Sequence, residues 1–199
     1  MENEKENEIE DIKVILLGEM GVGKSNLLNA AADLRFDEIS KSTVNSTYIE
    51  KRMKILNKEY KVKLWDTAGQ EKYRALTKLF YQDSKVVIFV YDITNKKSFT
   101  ELNYWISEIK EALGNEPILG IVGNKSDLTD MIEVDEKTAN EFAKEKGIEL
   151  KLLSTKKEPK NFKKFLRKLV KDYLKKIGKF NENEGLTKED NNQGSCTIL

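Results

Sequence analysis

Apolar residues in this chain come in short bursts, separated by stretches with helical spacing. Ile12-Lys13-Val14-Ile15-Leu16-Leu17 reads as a buried strand, and Val86-Val87-Ile88-Phe89-Val90-Tyr91 is a continuous apolar run. Ile118-Leu119-Gly120-Ile121-Val122 is a second such run, and Glu149-Leu150-Lys151-Leu152-Leu153 is a weaker last one. Lys61-Val62-Lys63-Leu64-Trp65 alternates with period two, as a half-exposed strand does. Phe99, Leu102, Trp105, Ile106 and Ile109 fall three or four apart, on one helix face, and Phe162, Phe165, Leu166, Leu169, Val170, Tyr173 and Ile177 repeat that spacing. Strands alternating with helices predict an α/β fold around a mostly parallel sheet. Ligands in such sheets sit beyond the carboxyl ends of the strands, so the informative loops should begin where the apolar runs stop.

Both ends depart from this pattern. Residues 1–8 are polar and acidic, and 179–199 are polar and rich in Gly and Asn until the last few positions. The expected organisation is a disordered acidic extension over 1–8, one domain over 9–178, and a flexible tail over 179–199. Composition narrows the chemistry further. The net charge of the 199 residues is +1, which argues against nucleic acid as a partner. The absence of histidine excludes His-ligated metal sites and His-based triads, and a single cysteine excludes an internal disulfide. The N-terminus lacks the pattern of a signal peptide, and a cytosolic protein is the expectation.

Gly18-Glu19-Met20-Gly21-Val22-Gly23-Lys24-Ser25 fits G-x-x-x-x-G-K-[ST] between a strand and a helical stretch. Glycines there let backbone N–H groups wrap phosphate oxygens, and the helix N-terminus adds its dipole. Gly21, Val22, Gly23, Lys24, Ser25 and Asn26 are the candidate phosphate-side contacts. Lys24 would neutralise the β- and γ-phosphates, and the Ser25 hydroxyl would ligate Mg²⁺. In Trp65-Asp66-Thr67-Ala68-Gly69-Gln70-Glu71, Asp66 ends a strand where an aspartate can hold Mg²⁺. Gly69 can offer its N–H to the γ-phosphate, and Gln70 can orient an attacking water.

Gly123-Asn124-Lys125-Ser126-Asp127 follows a buried run. The Asp127 carboxylate can accept from both the ring N–H and the exocyclic amine of guanine, a donor pair that adenine lacks. The Lys125 stem can lie along the base, and Asn124 can tie this loop to the phosphate loop. Ser154-Thr155-Lys156 can supply a backbone N–H to the guanine carbonyl oxygen.

GEMGVGKS, WDTAGQE, VYDIT, GNKSD and STK, in this order, resemble the Ras superfamily of small GTPases and its Rab branch, over about Ile9 to Gly178. The resemblance implies a P-loop NTPase G domain, with a mostly parallel six-stranded sheet flanked by helices on both faces. It implies a GTP phosphohydrolase that binds GTP or GDP with Mg²⁺, hydrolyses GTP slowly, and regulates vesicle traffic. Lys24, Thr43 and Gln70 would be the catalytic residues, and Ser25, Thr43 and Asp66 the metal ligands. Phe36 matches the aromatic that stacks on guanine. Tyr48, Trp65 and Phe80 match an aromatic triad on which effector proteins dock beside switch I and switch II; core packing is the other role open to these three. An exchange factor and a GTPase-activating protein are further implied partners, and a monomer is expected.

The tail ends in Cys196-Thr197-Ile198-Leu199, which fits C-a-a-X with a terminal Leu that favours geranylgeranyl. Membrane attachment through Cys196 is therefore expected. The implied location is the cytoplasmic face of an intracellular membrane, with cycling through the cytosol; the switch region is most similar to early-endosomal Rabs. The basic run Lys163, Lys164, Arg167, Lys168, Lys171, Lys175 and Lys176 reads as the solvated face of a packed helix. Three positions depart from the family pattern. Met20 stands where a small residue is usual, Asn45 where glycine is usual, and Thr155 where alanine is usual. Met20 raises an alternative, a GTP-bound interaction module with little hydrolysis. A P-loop kinase acting on a small metabolite is a third reading, opposed by the base loop and WDTAGQE.

Overall fold

The computed structural model describes residues 10–37, 47–55, 58–67, 78–179 and 196–198. The five strands read from the apolar runs are β1 (Glu10–Leu17), β3 (Lys58–Asp66), β4 (Val86–Asp92), β5 (Ile118–Asn124) and β6 (Glu149–Leu152). β2 (Thr47–Ile55) precedes β3, and β7 (Cys196–Ile198) closes the chain order. The helices are α1 (Lys24–Ala31), α2 (Lys96–Thr100), α3 (Leu102–Leu113), α4 (Glu136–Lys146) and α5 (Pro159–Lys176).

The strand order is β6-β5-β4-β1-β3-β2-β7. β1 pairs parallel with β3 and β4, and β5 pairs parallel with β4 and β6; β2 runs antiparallel to β3. The expected six-stranded, mostly parallel sheet is thus present. A seventh strand, Cys196–Ile198, adds antiparallel to β2. These three residues lie in register against the sheet edge.

Strand periodicity explains the two cores. On β1, Ile12, Val14 and Leu16 face one side, and Ile15 and Leu17 the other. On β4, Val86, Ile88 and Val90 share the first side, while Val87, Phe89 and Tyr91 share the second. The first side is covered by α1 and by Phe162, Phe165, Leu166, Leu169 and Val170 of α5. The second is covered by Leu102, Trp105, Ile106 and Ile109 of α3 and by Ala139 and Ala143 of α4. A strand buried on both faces has no polar face to display, which is why β4 reads as an unbroken apolar run. β3 alternates buried and half-buried positions, as its sequence predicts.

Local chemistry sets the helix boundaries. The Asn95 side chain accepts from Ser98 N at 3.1 Å and starts α2, and Asp135 accepts from Thr138 N at 2.8 Å and starts α4. Pro159 occupies the first turn of α5, where its missing N–H costs nothing. The face containing Phe99 to Ile109 is split between α2 and α3, with Glu101 between them.

β2 carries one charged residue inward. Ile49, Met53 and Ile55 are buried, and Lys51, of the same parity, is also buried. Its Nζ donates to Ala31 O at 2.6 Å and to Asp33 Oδ2 at 2.9 Å. Lys51 thereby caps the C-terminal end of α1, where carbonyl groups lack helical partners. Lys163 of α5 pairs with the same Asp33.

Candidate functional site

The loops after β1 and β5 and the end of β3 meet at the carboxyl edge of the sheet, joined by the loop after β6. Gly18 to Gly23 connect β1 to α1. A Cβ on Gly18 would lie 2.1 Å from Val90 O, so the loop runs against β4 at a distance only glycine tolerates. Gly23 has φ +98°, and a Cβ there would lie 2.3 Å from Asn124 Nδ2. Left-handed backbone and close approach both require glycine at this position. α1 then begins at Lys24 with no side-chain cap. A helix N-terminus presents backbone N–H groups and the positive end of the helix dipole, the arrangement that suits an anion.

Lys24 is 6 % exposed, and its Nζ donates to Gly18 O at 2.8 Å and Glu19 O at 2.9 Å. The loop wraps the ammonium group. Burial pushes its pKa down to about 8, against the opposing pull of Asp66 and Glu19. Ser25 Oγ donates to Asp66 Oδ2 at 2.6 Å, with Asp66 itself buried at the end of β3. Thr67 Oγ1 donates to Leu16 O at 2.7 Å and locks the exit of β3 to β1. Two hard oxygens thus converge beside a buried cation and a helix N-terminus that has no side-chain cap. Among the described residues, no three of His, Cys, Asp and Glu cluster as a metal cage. A donor set of one hydroxyl and one carboxylate suits Mg²⁺, which keeps water and phosphate oxygens in its remaining positions.

Asn124 joins three segments. Its Nδ2 donates to Val22 O at 2.9 Å in the phosphate loop, and its Oδ1 accepts from Thr155 N at 3.2 Å and Thr155 Oγ1 at 2.6 Å. The backbone agrees, with Leu153 N donating to Gly123 O at 2.9 Å and Ser126 N to Leu153 O at 3.2 Å. Thr155, where the family pattern has alanine, therefore adds a hydroxyl contact to the one its backbone makes. Ser154 Oγ accepts from Lys157 N at 3.0 Å and shapes the same loop. Lys125 has φ +65°, which turns the loop outward, and its Nζ lies 2.5 Å from Asp92 Oδ2. Asp127 is half-buried two residues on. Phe36 is exposed, with Lys156 Nζ 5.9 Å from its ring centroid.

Sequence reasoning missed two contacts. Asp92 holds Lys125 and also accepts from Thr94 N at 2.9 Å, so VYDIT buttresses the base loop. The side chain of Asn26, a residue expected among the nucleotide contacts, clamps Asp37: Nδ2 donates to Asp37 O and Asp37 N donates to Oδ1, each at 2.9 Å. It anchors the segment leaving α1. The triad is assembled: Tyr48 stacks on Trp65 with centroids 4.5 Å apart, and Trp65 meets Phe80 at 5.6 Å. Met20 is 55 % exposed. Thr43, Asn45, Gly69 and Gln70 lie outside the described residues, as does the side chain of Cys196.

A glycine loop around a buried lysine, a hydroxyl–carboxylate pair and a joined base loop define a P-loop nucleotide-binding domain. The Ras family model matches residues 13–175, and the chain belongs to that family. Within the family it is a Rab small GTPase. It is 38 % identical over 135 residues to mouse Rab-22A, covering 68 % of this chain and 70 % of that protein. It is 38 % identical over 139 residues to human Rab-31, covering 70 % and 71 %. Rab-21 of Geodia cydonium is 44 % identical over 135 residues, covering 68 % of this chain but only 59 % of that protein's own length.

Proposed function

We propose that this Rab-family chain is a molecular switch that binds GTP or GDP with Mg²⁺, hydrolyses GTP slowly, and works in vesicle traffic. The observation that carries the reading is the Asn124 junction, which couples the base loop to the phosphate loop. One nucleotide spanning both loops would engage Asp127 at guanine and Lys24 at the phosphates. Ser25 and Asp66 would hold Mg²⁺, with Thr43 added on family grounds. A bound Mg²⁺ supplies neutralisation of phosphate charge.

Hydrolysis needs only positioning and charge stabilisation. Gln70 orients a water for in-line attack on the γ-phosphorus. The bond to the bridging oxygen breaks, and GDP and phosphate leave. Gly69 and Thr43 lose their γ-phosphate contacts, and the two switch loops relax. Partner proteins then distinguish the two states at the Tyr48, Trp65 and Phe80 surface. An exchange factor and an activating protein complete the cycle, and geranylgeranyl on Cys196 attaches the chain to an intracellular membrane, the early endosome being the candidate. The weakly hydrolysing alternative rests on Met20 alone, and the match to the Ras family and to Rab relatives does not favour it.

The test is equilibrium binding of GDP, GTP and ATP by the metal-loaded chain. Tight GDP and GTP binding with weak ATP binding is expected. Equal affinity for ATP would remove the guanine reading.

A further inference from the structure

β2 is nine residues long, and without β7 its outer side would be an open sheet edge. Such an edge presents unpaired backbone N–H and C=O groups and accepts an extended segment readily. The occupant here belongs to the same chain. Ile198 lies opposite Ile49, Thr197 opposite Glu50, and Cys196 opposite Lys51. The pairing starts one residue from Tyr48, which stacks on Trp65.

Chain length permits this pairing within one molecule. Lys179 Nζ lies 2.6 Å from Glu10 Oε2 at the start of β1, so the chain leaves α5 beside that strand. β7 sits three strand positions from β1, through β3 and β2. At the usual spacing this is about 15 Å. Residues 180–195 separate the two points, and an extended chain reaches about 3.3 Å per residue, well beyond what is needed.

We propose that the outer edge of β2 is a strand-acceptor site for the chain's own Cys196–Ile198 segment, and that this pairing withholds Cys196 from reaction until the segment is released. The proposal is independent of the nucleotide reading. It adds a step to any alkylation of this cysteine, because a modifying enzyme must compete with β2 for the segment. It also makes the tail and an incoming partner neighbours beside the aromatic triad.

Cys196 is the only cysteine, so thiol labelling reports on it alone. The experiment uses the full chain loaded with GDP and a maleimide probe. The Sγ thiolate adds across the maleimide double bond, and a proton from water completes the ring carbon. Labelling rates are measured for the wild type, Thr197→Pro and Ile198→Pro, each divided by the rate of the same chain in denaturant. Successive N–H groups of a strand point to opposite sides, so one of the two prolines removes a donor that faces β2. Hydrogen exchange of β2 is followed in all three, and in a chain truncated after Ser195.

The expected result is a normalised rate severalfold lower in the wild type than in the proline variant that removes the paired N–H. Exchange of Ile49 to Lys51 should be faster in that variant and in the truncated chain, with GDP binding unchanged. Equal normalised rates and equal β2 exchange would overturn the proposal. Protection that grows with protein concentration would also overturn it, by assigning the strand to a second copy.

Discussion

Ser25 Oγ and Asp66 Oδ2, 41 positions apart in sequence, meet at 2.6 Å. One opens α1 and the other closes β3, so the parallel pairing of β1 with β3 brings them together. Their contact places two hard oxygens where one cation can take both. Ser25→Ala should therefore uncouple nucleotide retention from Mg²⁺. In the wild type, chelating Mg²⁺ should accelerate GDP release strongly. In Ser25→Ala the rates with and without chelator should nearly coincide, and an unchanged ratio would contradict the assignment.

Lys24 gives a pH dependence with a definite sign. Its folded pKa is depressed to about 8, while in the unfolded chain it titrates near its ordinary 10.5. Between these values the unfolded state holds more protons, so Lys24's contribution to the stability of the nucleotide-free protein rises with pH across that window. Phosphate binding requires the ammonium form and runs the opposite way. GDP affinity should weaken as pH climbs through about 8, more steeply in the wild type than in Lys24→Gln, which cancels titration of the nucleotide itself. Parallel profiles from calorimetric titration would refute this.

Asn124→Ala removes the donor to Val22 O and the acceptor of both Thr155 contacts. Each such bond is worth about 0.5–1.5 kcal/mol net. GDP affinity should fall by about tenfold to a hundredfold, with the melting temperature of the GDP-saturated protein lowered as well. Asp127→Ala should separate from this in kind. It leaves the junction intact, so the preference for GDP over ADP should collapse while the fold is unaffected; competition binding reads the ratio.

Lys51→Met tests the inward charge on β2. The hydrogen bond to Ala31 O disappears, and Asp33 keeps only Lys163 among its two lysine partners. Asp33 is half-exposed, so water replaces much of what it loses. The expected cost is about 1–2 kcal/mol, mostly from the uncapped end of α1, read by urea denaturation. A stabilised variant would show that burying the ammonium costs more than its contacts return.

How much of this was readable in advance varies by element. β1, β4 and β5 announce themselves because burial on both faces demands unbroken apolar runs. β2 does not, because Lys51 fills an inward position and Lys, Arg and Glu fill the outward ones, which breaks the alternation. α4 is also faint, since it meets the core mainly through Ala139 and Ala143. At the site, glycine spacing and the strand-ending Asp66 disclose the phosphate side. The Lys125–Asp92 pair stays hidden because it joins segments that only the folded sheet brings together, and the Asn26 clamp on Asp37 because two polar residues 11 apart carry no spacing signal. β7 is invisible for a related reason: three residues after a polar tail carry no periodicity, and their pairing depends on an edge supplied by β2.

Single-turnover hydrolysis tests the central claim most directly. The chain is loaded with GTP and Mg²⁺, and conversion to GDP is followed in the wild type and in Gln70→Leu. Slow but complete conversion in the wild type, and much slower conversion in Gln70→Leu, is the predicted result. GTP that stays intact in the wild type would contradict the switch, and equal rates in both would remove Gln70 from its mechanism.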